Sequence, residues 1–275
     1  MRIDSHQHFW KYNPAEFPWI KPGSAIQRDF LPADLAPELA AQKLDGCVAV
    51  QARQTVAETH WLLDLAKTAS IIKGVVGWVD LRSPKLEDQL ADLSQHEKLV
   101  GVRHVVQDEP DDRFMLSDEF RRGIGLLHPF GLRYDILVYP KQLPAAVELV
   151  RQFPEQAFVL DHIAKPPIKD GALSPWREQI REFAAAPNVF CKVSGMVTEA
   201  RWHEWKPADF RPFLDVVFEA FGPDRLMYGS DWPVALLSAT YAEVYALVRD
   251  YVSTLGAETE AKFFGQNATR FYDLK

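Results

Sequence analysis

The sequence predicts a (β/α)8 barrel, an α/β fold in which strands alternate with helices. Three observations carry this expectation. Eight short apolar runs recur along the chain, longer amphipathic stretches separate them, and no Gly-rich turn follows an early run. Near-continuous hydrophobicity over strand length is how parallel strands covered on both faces read. Eight strand–helix units in about 250 residues match the size of such a barrel. A doubly wound open sheet is the rival, and it calls for the Gly-rich turn that is missing.

The expected strands are 2–8, 46–51, 71–79, 99–106, 132–138, 157–163, 189–195 and 225–232, rich in Val, Ile, Leu and Phe. Helical patterns fall between them. The stretch 55–69 opens with Thr55 and carries Glu58 three positions later, a capping-box spacing. In 141–153, Leu143, Val147, Leu149 and Val150 recur at helical spacing and Pro154 ends the run. The stretch 174–186 begins Ser-Pro, read as a cap followed by a proline at the first helical position. Stretches 207–221 and 240–253 follow the same logic. The Pro- and aromatic-rich segment 9–35 reads as a long loop over the barrel mouth that helps to form the pocket, since long ordered loops in compact domains usually serve function. No linker or charge block divides the chain, so 1–275 is read as one domain.

Composition narrows the function. With 47% hydrophobic residues the chain has ample apolar material to fold. Asp and Glu number 38 against 31 Lys and Arg, a net charge of −7, which speaks against nucleic acid as partner. No apolar stretch reaches the length of a membrane span; 71–79 is interrupted by Lys73. The N-terminus lacks a secretory pattern, and Cys47 and Cys191 sit alone in separate apolar runs as reduced core thiols would. A cytoplasmic protein is expected.

In a barrel of this kind the active site lies at the C-terminal ends of the strands, and several of those ends are polar. The first strand ends His6-Gln7-His8, and residues two apart on a strand face the same way. The sixth ends Asp161-His162, and the eighth ends Gly229-Ser230-Asp231-Trp232-Pro233. Taken singly, each fits a structural role: hydrogen-bonded histidines, or an aspartate capping a helix. Together, His6, His8, His162 and Asp231 make a three-His, one-carboxylate cluster suited to one divalent metal, zinc above manganese.

These motifs carry a resemblance. The first-strand His-x-His, the GSDWP of 229–233 and the GQNATRFY of 265–272 resemble the type 2 branch of the amidohydrolase superfamily. Within it, DSHQHFW (4–10), DHIAKP (161–166) and CKVSG (191–195) resemble the sugar-lactone hydrolases that act on L-fucono- and L-rhamnonolactones. The resemblance spans residues 4–272 and implies a distorted (β/α)8 barrel that hydrolyses a ring ester. It also implies His6 and His8 as the metal-binding pair, His162 as the histidine of the Asp-His motif and Asp231 as the catalytic aspartate. One departure is that the fourth strand offers Arg103 and His104 where many amidohydrolases carry a bridging Lys or Glu. The fifth ends Val138-Tyr139 without a histidine, so two metals are not expected.

The expected chemistry is acyl transfer to water, with Asp231 as base and His162 beside it. The oxyanion would be met by zinc or by the histidines themselves. Gln51, Arg53, Trp78, Arg103, His104 and Trp232 are the substrate-contact candidates. Adjacent Arg103 and His104 cannot both face inward, and Arg53 and Arg103 can equally be tied to carboxylates such as Asp80. Lys192 and Ser194 share a face on the seventh strand, where the lysine can pair with Asp161. The remaining tryptophans, Trp10, Trp19, Trp176, Trp202 and Trp205, read as core or rim, and His60, His96, His128 and His203 as structural or surface residues. Three other functions stay open: a 2-pyrone-4,6-dicarboxylate-type lactonase, a metal-dependent decarboxylase of the same superfamily, and a non-catalytic sugar-acid binding protein.

Overall fold

Eight parallel strands pair in chain order, each with its successor: β1 (Ile3–Gln7), β2 (Gly46–Val50), β3 (Ile72–Gly77), β4 (Leu99–His104), β5 (Arg133–Ile136), β6 (Phe158–Leu160), β7 (Val189–Val193) and β8 (Leu226–Tyr228). The computed structural model describes residues 1–275. The seam between β8 and β1 is closed above the strand ends. There His8 N donates to Trp232 O at 2.7 Å, and Asp231 N donates to His6 O at 2.8 Å. The last bonds of the (β/α)8 barrel are thus made by the residues expected to do the chemistry.

One main helix follows each strand: α1 (Pro32–Ala41), α2 (Val56–Thr68), α3 (Leu86–Leu93), α4 (Asp118–Gly125), α5 (Leu143–Gln152), α6 (Trp176–Ala184), α7 (Pro207–Phe221) and α8 (Tyr241–Val252). The cap expected at Thr55 is present, its hydroxyl accepting from Glu58 N at 3.2 Å. The Ser-Pro start expected near 174 is displaced: α6 begins at Trp176, and Ser174 donates instead to the Glu178 carboxylate. Helices α1, α3 and α4 lie in stretches where the pattern of apolar residues does not mark a helix. No helix is long and apolar enough to cross a membrane.

The core has two parts. The larger lies between strands and helices. The smaller fills the barrel interior, where Ile3, Val48, Val50, Val76, Val159 and Met227 meet Phe271 and Tyr272. These last two belong to α10 (Asn267–Tyr272), which follows the short α9 (Ala257–Ala261) and a π turn over Lys262–Gln266. The C-terminal segment plugs the bottom of the barrel and leaves its top for the site.

Candidate active site

Asp231 sits at the centre of the barrel mouth, with three histidines around one of its oxygens. Its Oδ1 lies 3.4 Å from His8 Nε2, 3.9 Å from His6 Nε2 and 3.9 Å from His162 Nε2. All four side chains are buried. The chain is locally strained to bring them there. Asp231 holds φ 57°, and residues His162, Ile163, Ala164 and Lys165 hold φ of 55°, 48°, 58° and 49° in succession. A left-handed conformation costs an L-residue roughly 1–2 kcal/mol, and such strain collects where geometry matters most. Buried anchors hold it: Trp176 Nε1 donates to Ile163 O at 2.8 Å, and Ser230 N donates to Asp4 Oδ1 at 2.9 Å.

Two glycines of the expected motifs permit the close approach. A Cβ on Gly195, whose φ is +60°, would stand 2.5 Å from His162 Nδ1. One on Gly229 would stand 2.6 Å from His6 Cβ. In both places the missing side chain makes room for an imidazole.

The proton positions follow from the partners. His8 Nδ1 lies 2.8 Å from Val50 O, an acceptor only, so this nitrogen carries hydrogen and a neutral His8 presents the Nε2 lone pair to Asp231. His6 Nδ1 lies 3.2 Å from Asp161 Oδ1 and 3.2 Å from Lys192 Nζ. A proton directed at Asp161 leaves the Nε2 lone pair facing Arg103 Nη1, at 3.3 Å, and Asp231 Oδ1. Burial pushes the His6 imidazole well below its ordinary range and His162 down to about 4, so both are neutral at neutral pH. Burial also opposes ionisation of Asp231; positive charge shared among His162, His8 and His6, or a cation in its place, pulls the carboxyl below the usual range. Lone pairs and a carboxylate facing one another call for a cation between them, and His6, His8 and Asp231 can hold a divalent metal. The donor set fits the expected metal.

Beneath this cluster lies a buried ionic array. Arg103 Nη1 donates to Asp161 Oδ2 at 3.0 Å and stands 3.3 Å from His6 Nε2, while Nη2 donates to Gln51 O. Lys192 Nζ bridges Asp161, at 3.1 Å, and Asp135, and Tyr272 donates to Asp135 at 2.9 Å. Burial pushes the Asp135 carboxyl up to about 6 against the pull of Lys192. The array ties the C-terminal plug to His6, the expected Lys192–Asp161 pairing being one of its links.

A cavity of about 390 Å3 opens above, within the range of small-molecule sites. His8, His162, Asp231 and Arg103 line it, joined by Trp10, Trp19, Gln54, Gln107, Asp108 and Lys165 and by apolar Val105, Leu137 and Val234. Of the six expected substrate contacts, only Arg103 stands in this wall, and the other five need correction. Gln51 is buried in the strand layer, its Nε2 donating to Arg103 O at 3.3 Å. Arg53 pairs with Glu16 and Glu58 rather than with Asp80, whose partner is Arg82. His104 turns outward, as the alternation of β4 requires; its Nε2 lies 2.7 Å from Glu109 Oε1 and its ring stacks on Phe114. Trp78 donates to His104 Nδ1 at 3.2 Å. Trp232 packs on Phe30 and Phe9. Trp10 is buried in the core and Trp19 stays half exposed, as expected of core and rim residues, and both also bring the 9–35 segment into the cavity wall.

The family model described as amidohydrolase matches residues 3–274. An L-fucono-1,5-lactonase of Burkholderia multivorans is 44% identical over 286 residues, covering 100% of this chain and 96% of that protein. An L-fucono-1,5-lactonase of Burkholderia ambifaria is 38% identical, covering 99% and 96%. A crystal structure of an amidohydrolase from Burkholderia multivorans with bound zinc superposes with a TM-score of 0.96 at 44% identity, covering 100% of both chains.

Proposed function

The chain belongs to the amidohydrolase family, and on that premise we propose that it opens the ring ester of a sugar-acid lactone, L-fucono-1,5-lactone or a related aldonolactone, to the open-chain aldonate. That it is a lactone-hydrolysing enzyme follows from full-length 44% identity to a lactonase. The observation carrying the mechanism is the ionised Asp231 carboxylate surrounded by three buried imidazoles on the cavity wall.

In this reading Asp231 accepts a proton from the water that attacks the lactone carbonyl. Arg103 on the cavity wall offers positive charge to the oxyanion of the tetrahedral intermediate. When it collapses, the C–O bond of the ring breaks, and the ring oxygen leaves with the proton that Asp231 took up. A divalent metal held by His6, His8, His162 and Asp231, zinc in this reading, would supply Lewis-acid polarisation of the carbonyl. Asp161 orients His6, and Ser194, 2.9 Å from His162 Nδ1, orients His162.

The charge of the cavity wall favours a neutral polyol lactone over a dicarboxylate. Two carboxylates, Asp108 and Asp231, stand there with Arg103 and Lys165, and Arg103 is already engaged by Asp161. A dicarboxylate needs unengaged cations to repay the desolvation of its charges. The cytoplasm is the compartment this reading assigns, since Cys47 and Cys191 are separate, buried free thiols.

The test is acid release with a pH indicator, above spontaneous hydrolysis, on L-fucono-1,5-lactone beside 2-pyrone-4,6-dicarboxylate. Turnover of the aldonolactone with little on the pyrone is expected. The reverse order would replace this reading.

A further inference from the structure

The left-handed run after β6 delivers two side chains to the cavity, and the mechanism uses only one. His162 and Lys165, at its two ends, both line the wall, while Ile163 and Ala164 between them are fully buried. Lys165 N donates to His162 O at 2.8 Å, which closes the turn. The strained backbone therefore fixes the base of the Lys165 side chain as tightly as it fixes His162.

The ammonium of Lys165 is under-committed. It makes no hydrogen bond within the chain; the nearest carboxylate oxygen, Glu199 Oε1, is 3.9 Å away, and the Tyr139 ring centroid is 5.4 Å away. The side chain is largely enclosed, at 17% exposure. Arg103, the other permanent cation in the wall, spends its guanidinium on Asp161, His6 and Gln51. Its three N–H donors have no hydrogen-bond partner within the chain and stay open to an incoming group. They suit a ligand rich in acceptor oxygens.

We propose that Lys165 is a substrate-binding residue whose ammonium donates to ring hydroxyls of the lactone, selecting polyhydroxylated rings over bare ones. This inference rests on the lactonase reading. Glu199 and Tyr139, which line an adjoining cavity that Lys165 also borders, hold the ammonium loosely enough to leave it available to a hydroxyl oxygen. A charge-assisted hydrogen bond of this kind discriminates strongly against a ligand that lacks the hydroxyl, because the donor is then left unpaired.

Steady-state kinetics of the wild type, Lys165→Met and Lys165→Arg, on an aldonolactone and on δ-valerolactone, test it. For Lys165→Met we expect KM for the aldonolactone to rise roughly tenfold or more, with kcat changed by less than about threefold. The loss in kcat/KM should be about ten times larger on the aldonolactone than on δ-valerolactone, and Lys165→Arg should recover part of it. Equal losses on both lactones, or an unchanged KM, overturn the proposal while leaving the lactonase reading intact. A wild type inactive on the aldonolactone overturns both. Should Lys165→Met melt far below the wild type, Lys165→Arg alone decides. A changed ratio of kcat/KM between the two lactones supports the role, and an unchanged ratio overturns it.

Discussion

His8 Nε2 faces Asp231 Oδ1 across 3.4 Å, while the other nitrogen of the same ring is committed to the Val50 carbonyl. The strand-2 backbone thus sets which nitrogen of His8 meets the Asp231 carboxylate. Asp231 is in turn held by its backbone bond to His6 O, so the closing seam of the barrel and the proposed base are one structure. Against the effect of burial, positive charge shared among the histidines, or a cation in its place, pulls the carboxyl below its usual range. Its base form therefore predominates throughout the neutral range. We expect kcat/KM to show no acid limb from Asp231 between pH 7 and about 5; a fall with a midpoint near 6 in a pH-stat assay would contradict this.

Gly195 leaves the space in which the His162 ring sits. Gly195→Ala places a methyl 2.5 Å from Nδ1 at a φ of +60° and pushes the ring off Ser194. Activity should fall by about 10²-fold, well beyond any loss of secondary structure seen by far-UV circular dichroism. Activity within twofold of the wild type would show that His162 can move without consequence.

Lys192 holds two buried carboxylates together inside the barrel. Lys192→Met leaves Asp135 and Asp161 facing each other without it. Removing one partner of a buried charge array costs about 3–5 kcal/mol, read as a lower urea midpoint. An unchanged midpoint would mean that the carboxylates find other partners.

Glu58 reports on pH. Burial pushes its carboxyl up to about 7, against hydrogen bonds from Arg53 N and Ala52 N. The folded state then binds a proton that the unfolded state releases near pH 4.5. The stability of the wild type relative to Glu58→Gln should therefore decline as pH rises from about 4.5 to 7 and be level above. Denaturation at pH 5 and pH 8 checks the sign, and a gap that widens in favour of the wild type at pH 8 refutes it.

What the sequence revealed follows from which signals are local. The eight apolar runs and the polar strand ends are properties of single segments, and they located β1 to β8, His6, His8, His162 and Asp231. The run 157–163 overshoots β6, which ends at Leu160, because Ile163 is just as buried in a left-handed turn that hydrophobicity does not distinguish from a strand. The alternation argument allowed one of Arg103 and His104 to face inward, and the register of β4 chooses Arg103. The cavity wall was mostly illegible. Gln54, Gln107, Asp108 and Lys165 come from three separate loops and meet only through the closed barrel. Trp10 and Trp19 enter from a segment whose composition marked it as pocket-forming but did not single out their side chains.

Asp231 is the proposed base for lactone hydrolysis. Acid release from L-fucono-1,5-lactone, corrected for spontaneous opening, should be rapid with the wild type. It should fall by about 10²–10⁴-fold with Asp231→Asn, the variant keeping its fold because Asn fills the same space. Equal rates for the two proteins would contradict the account.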